Sequence, residues 1–426
     1  MSNVVLSNAI SFEGKIHKNI YLEDINLSNL TKEEAISKIN DVLNKKNTFV
    51  LRLGNKEYVF QKDYIDTEYK VKEIVDEAYA IGRNKDVITN IRTKTDLNLG
   101  DEIILNYKYN YNERKLKGYL NCLYEDIYKS PINSTVRIKD GDIVISKEEY
   151  GYELDKEKME SIIISKVKKI NCQDEVIPIM YLKPNNLYSE LSKIDTMLGR
   201  FETHFNPKNE NRSNNIRLAS KATNNILLKP NEVFSFNENI QNSHIQQYFK
   251  EAPVIINGKQ DKGKGGGMCQ VSSTIYNAAL YSGLKILNVT NHSIPSPYIE
   301  KGRDATVCNG YIDLKFSNSY NTPVFIYNQV YENKVISTIY GSSNDKKDIE
   351  IYTEITKEIP NESVIKNSED LELGTSMVKQ EGRKGYKVKT YRIYKTSPDA
   401  ITEYISESYY PPEDKITLYG IRELSK

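Results

Sequence analysis

Tryptophan is absent from this sequence, cysteine and histidine occur four times each, and 59 basic residues nearly cancel 58 acidic ones. Each shortage excludes something. A net charge of +1 supplies no broad field for nucleic acid or an anionic membrane surface, so no nucleic-acid partner is expected. No stretch reaches the ~18 consecutive apolar residues of a membrane span. The opening, MSNVVLSNAISFEGKIHKN, has neither a basic leader nor an apolar core and does not read as a signal peptide. Cys122, Cys172, Cys269 and Cys308 form no Cys-x-x-Cys pair. The usual zinc and dithiol-redox readings therefore fail, and no metal or cofactor is expected. A chain of 426 residues builds its core without disulfide staples, so free thiols are the expectation.

What remains is length and punctuation. The chain exceeds one ordinary domain, and its 38% hydrophobic and 27% charged residues fit a globular protein with long polar connections. The 32 tyrosines, beside abundant Asn, Ile and Lys, follow an AT-rich coding bias and also suit solvated strands and sugar contacts. Thr31-Lys-Glu-Glu34 is a capping box, and Ala35, Ile36, Ile39, Val42 and Leu43 follow at helical spacing. Gly54-Asn55 and Asp140-Gly141 are hairpin turns between short apolar runs. Val71 to Ile81, Tyr119 to Tyr128 and a segment capped by Asp155 read as helices.

Further along, Asn215 to Leu228 reads as a helix stopped by Pro230, and Glu232 to Phe236 as a strand. Val271, Ile275, Ala278 and Ala279 recur at helical spacing, so Cys269 opens a helix that Gly283 closes. Leu284 to Thr290, Ile312 to Phe316, Val324 to Tyr327 and Val335 to Tyr340 read as strands. Beyond Asp345, short β-like runs alternate with Gly and Pro. The expected fold class is therefore α+β and multidomain. We place α+β modules at 1–110 and 111–195, a mixed α/β domain at 196–345 and a thin all-β module at 346–426.

The stretch GKGGGMCQVSSTIYNAAL carries the chemistry. A thiolate is the nucleophilic form of cysteine, and a helix N-terminus favours it, because the first amides lack internal partners. The same amides receive a developing oxyanion. Glycines let the backbone approach a substrate closely. Gly266, Gly267 and Gln270, with Ser273 one turn on, are the oxyanion- and substrate-facing candidates. The same stretch also reads as a plain turn followed by a small buried thiol. A nucleophilic cysteine needs a base, and His292, past the strand that returns from the helix, is the choice. Asp304 is the first choice to orient it, with Asp313 and Ser293 as alternatives. Arg303 is a candidate fork for a substrate carboxylate, against the plain reading of a solvated loop arginine. His204 reads as structural.

These residues resemble a known family. FETHFNPKNENRSNNIRLASKATNNILLKPNEVFSFN, the glycine-cysteine stretch and NHSIPSPYIEKGRDATVCNGYIDLKF are similar to the VanW domain of Gram-positive cell-envelope proteins. The region before them resembles peptidoglycan-binding modules. The tail, with VKQEGRKGYKVKTYRIY, is similar to a G5 domain. The resemblance implies an extracytoplasmic protein, in the cell wall or anchored to the membrane. It implies a cysteine-dependent L,D-transpeptidase that forms 3-3 peptide cross-links. Cys269 matches the motif's cysteine and His292 the family's histidine position. The implied partners are peptidoglycan stem peptides, a tetrapeptide donor and a diamino-acid amine acceptor, with the chain read as a monomer. The alternatives are a cell-wall cysteine peptidase or amidase, and a non-catalytic peptidoglycan-binding scaffold linked to glycopeptide resistance.

Overall fold

The computed structural model describes residues 14–170, 172–256, 259–308, 310–395 and 399–422. The first thirteen residues, on which the reading against a signal peptide chiefly rests, lie outside the described residues. No helix among the described residues is long and apolar enough to cross a membrane.

The architecture is mixed α and β, with an all-β C-terminal region. It packs as two compact units, Met1–Ile132 with Glu149–Pro184, and Asn133–Glu148 with Asn185–Lys426. In the first unit, the capping box forms as expected. Glu34 N–H donates to Thr31 Oγ1 and Thr31 N–H to Glu34 Oε2. The helix it starts, Lys32–Lys45, buries Ala35 and Ile39 beside Ile74, Val75 and Ala78 of Val71–Ala80. A second core gathers Phe49, Leu51 and Phe60 with Leu116, Leu120, Ile163 and Val167. The expected division at 110–111 has no counterpart as a break between units. Ile170 lies in the first core, and Glu175–Val176 pairs in parallel with Leu51 and Arg52. The hairpin around Asp140-Gly141 goes with the second unit, placing Val136 against Leu191, Ile194 and Phe325.

The second unit is built on a buried helix. We label β1 Thr196–His204, α1 Glu210–Ala222, β2 Ile226–Leu228, β3 Val233–Ser235, α2 Met268–Tyr281, β4 Lys285–Asn288, β5 Lys315–Ser317, β6 Val324–Tyr331 and β7 Lys334–Gly341. The antiparallel sheet β1-β7-β6-β2 lies on one side of α2, and the small sheet β3-β5-β4 completes the enclosure. Every residue from Gln270 to Leu280 is buried, the pattern of a helix enclosed all round rather than one with a wet face.

Two readings change in the structure. The helix expected over 215–228 runs instead from Glu210 to Ala222, capped by Asn209. Asn225 adopts a left-handed φ of 57°, which ends helical geometry, and Ile226–Leu228 pair with Val324–Ile326 as β2. The strand expected over 312–316 shortens to β5, because Cys308 and Ile312 close a tight bridge just before it.

The C-terminal module comprises β8 Ile349–Ile359, β9 Ser363–Glu372, β10 Ser376–Gln380, β11 Gly385–Tyr394, β12 Ile401–Tyr410 and β13 Lys415–Arg422. They form two three-stranded sheets, β8-β11-β12 and β9-β13-β10. Among the described side chains of this module only Val388, Thr390, Arg392, Ser408 and Tyr410 are buried. All five lie on β11 and β12.

Candidate active site

Helix α2 begins at Gly267, whose φ of 113° is left-handed. A side chain there would need that unfavourable conformation, and its Cβ would lie 2.8 Å from Ile216 Cγ1. Glycine therefore fixes where the helix starts. Met268 N–H donates to Gly265 O and Gln270 N–H to Gly267 O. Cys269 N–H sits between these two bonded amides at the open end of the helix.

The segment from Thr290 to Val307 contains two prolines and forms no strand or helix. It doubles back on itself, and Thr306 N–H donates to Thr290 O at 2.7 Å. That closure brings the residues just inside it, His292 and Asp304, face to face. Both the backbone N–H and the Nδ1 of His292 lie 2.6 Å from Asp304 Oδ2. The imidazole also lies near enough to the Cys269 side chain to interact with it electrostatically. The Cys269 sulfur lies 3.5 Å from both the N and the O of Val307, so a backbone N–H faces it. The structure thus brings Cys269, His292 and Asp304 into one row, with a hydrogen bond joining His292 to Asp304.

Burial grades along this row. Cys269 is half-buried, His292 is 8% exposed and Asp304 2%. Burial is the largest single influence on the imidazole and opposes its charge. The Asp304 hydrogen bond and the charges of Asp304 and Cys269 together outweigh it, lifting His292 from 6.5 to about 10. Tyr298, close to Ser296 and Ser273, has its phenol pushed up by burial and by the nearby Cys269 sulfur.

The returning segment 303–307 lies along α2 in a repeating register. Arg303 pairs with Asn277, Ala305 with Ser273, and Val307 with Cys269. Arg303 Nε donates to Asn277 Oδ1 and Asn277 Nδ2 donates to Arg303 O, both at 2.8 Å. Ala305 N–H donates to Ser273 Oγ at 2.9 Å, and Ser272 Oγ to Ala305 O at 2.6 Å. The match is geometric. Four helical residues rise about 6.0 Å, and two extended residues span about 6.6 Å. Cys-x-x-x-Ser-x-x-x-Asn on the helix is therefore read by Arg-x-Ala-x-Val on the segment.

This register reassigns two expected substrate contacts. Arg303 is 7% exposed, and its guanidinium is held by Asn277 and by Tyr281 Oη at 3.0 Å. The expectation that it grips a substrate carboxylate is not kept. Ser273 is fully buried and clamps Ala305 and the Cys269 carbonyl. Gln270 is buried too, donating to Thr203 Oγ1 and His204 O and accepting from Arg212. Gly266 O accepts from Asn215. Of the alternatives to Asp304, Asp313 holds Ser235 Oγ and Asn237 N–H at the start of another helix. Ser293 offers its carbonyl to Arg383. Cys308 is exposed and free, so it forms no disulfide with Cys269.

Near the start of α2, a groove of about 680 Å³ is lined by His204, Phe205, Asn206, Asn209, Arg212, Gln270, Pro297 and Tyr298, with Gln270 next in sequence to Cys269. The sequence reading missed Arg212 and Tyr298. Arg212 lies on α1, and its guanidinium reaches Gln270 Oε1 at 2.8 Å, near Cys269. Burial is the dominant effect on the guanidinium and holds it below the usual arginine range. Nothing in its polar surroundings, NENRSNN, marks it out. Tyr298 follows a Pro-Ser-Pro run with no periodicity to place it.

Comparison with known proteins agrees with this organisation. Residues 211–340 match the family described as VanW like protein, residues 58–174 that described as "Putative peptidoglycan binding domain", and residues 350–422 the G5 domain. The chain is 35% identical over 229 residues to Uncharacterized protein YoaR of Bacillus subtilis (strain 168), covering 54% of this chain and 75% of that protein. It is 33% identical over 137 residues to Vancomycin B-type resistance protein VanW of Enterococcus faecalis (strain ATCC 700802 / V583), covering 31% of this chain and 50% of that one. Among solved structures, an IgA1 protease G5 domain is 30% identical with a TM-score of 0.15, covering 19% of this chain and 99% of that one. With the glycine-cysteine junction inside the matched segment and a relative aligned over 75% of its length, the chain belongs to the VanW-like family.

Proposed function

We propose that this protein is a peptidoglycan L,D-transpeptidase that joins stem peptides through a cysteine thioester and acts at the cell wall. The observation that carries the reading is the row Cys269–His292–Asp304 at the start of α2, with His292 hydrogen-bonded to Asp304 and a groove nearby. An imidazolium against a sulfur favours the thiolate. Val307 N–H adds a donor on the sulfur's other side.

The thiolate attacks the carbonyl of the third stem residue in a tetrapeptide. The carbonyl oxygen takes the negative charge and is met by Cys269 N–H at the helix start. As the intermediate collapses, the C–N bond to the fourth residue breaks, and His292 gives its proton to the departing amine. A thioester and a neutral imidazole remain. The side-chain amine of a second stem's diamino acid then attacks the thioester. His292 takes a proton from that amine, the C–S bond breaks, and the thiolate returns. Asp304 keeps the ring oriented and balances its charge throughout. Arg212 supplies positive charge in the groove for a carboxylate of the stem. The segment matched to peptidoglycan binding supplies attachment to the polymer.

The test is mass spectrometry of purified tetrapeptide muropeptides incubated with wild type and with Cys269→Ala. Wild type is expected to give 3-3 dimers and free D-alanine, and Cys269→Ala neither. Trimmed monomers without dimers would assign the site to hydrolysis. Dimers formed equally by Cys269→Ala would remove the mechanism.

A further inference from the structure

The row does not end at Asp304. Its Oδ2 faces His292, and its Oδ1 accepts a hydrogen bond from Tyr410 Oη at 2.5 Å. Tyr410 stands 106 positions further along the chain, at the end of β12 in the C-terminal module. Its side chain is fully buried. The phenol accepts from Gly302 N–H at 2.8 Å and donates to Asp304 Oδ1, so its own direction is fixed from two sides. The titratable groups around Asp304 are His292, Tyr276, Tyr298 and Tyr410, and Tyr410 is the partner of Oδ1.

The same module grips both segments that carry the row. Beside Asp304, Thr390 Oγ1 donates to Gly302 O at 2.7 Å. Beside His292, Asn291 Nδ2 donates to Tyr409 O at 2.9 Å, and Arg383 reaches Ser293 O. At the far end of α2, Arg392 donates to Leu284 O at 2.8 Å. A carboxylate with one oxygen held by a rigid phenol has one orientation left for the other.

We propose that the C-terminal β module is part of the reactive site, with Tyr410 as the positioning residue that aims Asp304 at His292. Resting on the thiolate–imidazolium reading above, it makes the module a component of the chemistry rather than a wall anchor alone.

The experiment uses the full chain with Cys122, Cys172 and Cys308 changed to serine, so that alkylation by iodoacetamide reports Cys269. Rates are measured from about pH 5 to about pH 10. Tyr410→Phe keeps the ring and removes only the hydroxyl. It is expected to move the inflection up by about one pH unit and slow alkylation about tenfold below it. Added to Asp304→Asn, it is expected to change nothing further, because its effect passes through that carboxylate. Thr390→Val loses a docking bond of the same module without touching Asp304. It is expected to lower the melting temperature and leave the profile in place. Ser408→Ala, which removes a polar neighbour of the phenol, is expected to move the profile the same way by a smaller step, and it carries the test if Tyr410→Phe unfolds. An unshifted profile for Tyr410→Phe, or for Ser408→Ala in its place, would overturn the proposal, as would an equal shift for Thr390→Val. If Cys269 in the parent chain reacts no faster than an ordinary thiol, the transpeptidase reading falls and this proposal with it.

Discussion

The state of His292 links chemistry to stability at the scale of one residue. Its folded value of about 10 stands above the ordinary 6.5, so the folded protein holds a proton that the unfolded chain releases. The resulting stabilisation is complete below about pH 6.5 and fades as pH rises toward 10. The melting temperature of the wild type is expected to fall across that window and that of His292→Gln to fall less. Parallel curves would contradict the assignment. Cys269, His292 and Asp304 were legible because their signals are local: glycines before an apolar period, and a histidine and an aspartate in one short loop. Arg303 was misread because a loop arginine looks solvated until the register with α2 buries it. Tyr410 was illegible, since nothing within β12 announces a partner more than a hundred residues away.

Between elements, the decisive feature is the register of α2 with the irregular segment 303–307. Asn277 has two jobs there, accepting from Arg303 Nε and donating to Arg303 O. Asn277→Ala leaves both buried groups without that partner and is expected to cost about 2–3 kcal/mol. It should also slow Cys269 alkylation, because Val307 is set by the same register. Urea unfolding and iodoacetamide kinetics on one preparation check both outcomes, and normal reactivity despite lost stability would separate the register from the site. The helix itself was readable from its apolar spacing and its terminal glycines. Its polar stripe was not read, because Ser and Asn in a helix ordinarily face water. Here they meet an extended segment that no local pattern predicts.

Across the second unit, the C-terminal module has no interior of its own. Its buried side chains among the described residues all sit on β11 and β12, while β9 and β10 are largely exposed and β13 is half-buried. The four-part division expected from composition followed changes in residue usage, whereas compactness follows shared burial. Arg392, 2% exposed, joins Leu284 O to Glu403. Arg392→Met is expected to destabilise by roughly 2–4 kcal/mol. The VanW-like segment and the module are expected to melt in one transition by calorimetry, and two separate transitions would show them to be independent.

The gradient of exposure from Cys269 through His292 and Asp304 to Tyr410 has a consequence for traffic. The line of donors is wet at the sulfur and dry at the phenol, a corridor with a single door. Under the proposed chemistry, a proton that His292 gives up or takes therefore passes on the sulfur side. Replacing the solvent with heavy water should therefore mark the departing amine and the sulfur's mouth long before it reaches the hydroxyl at the closed end.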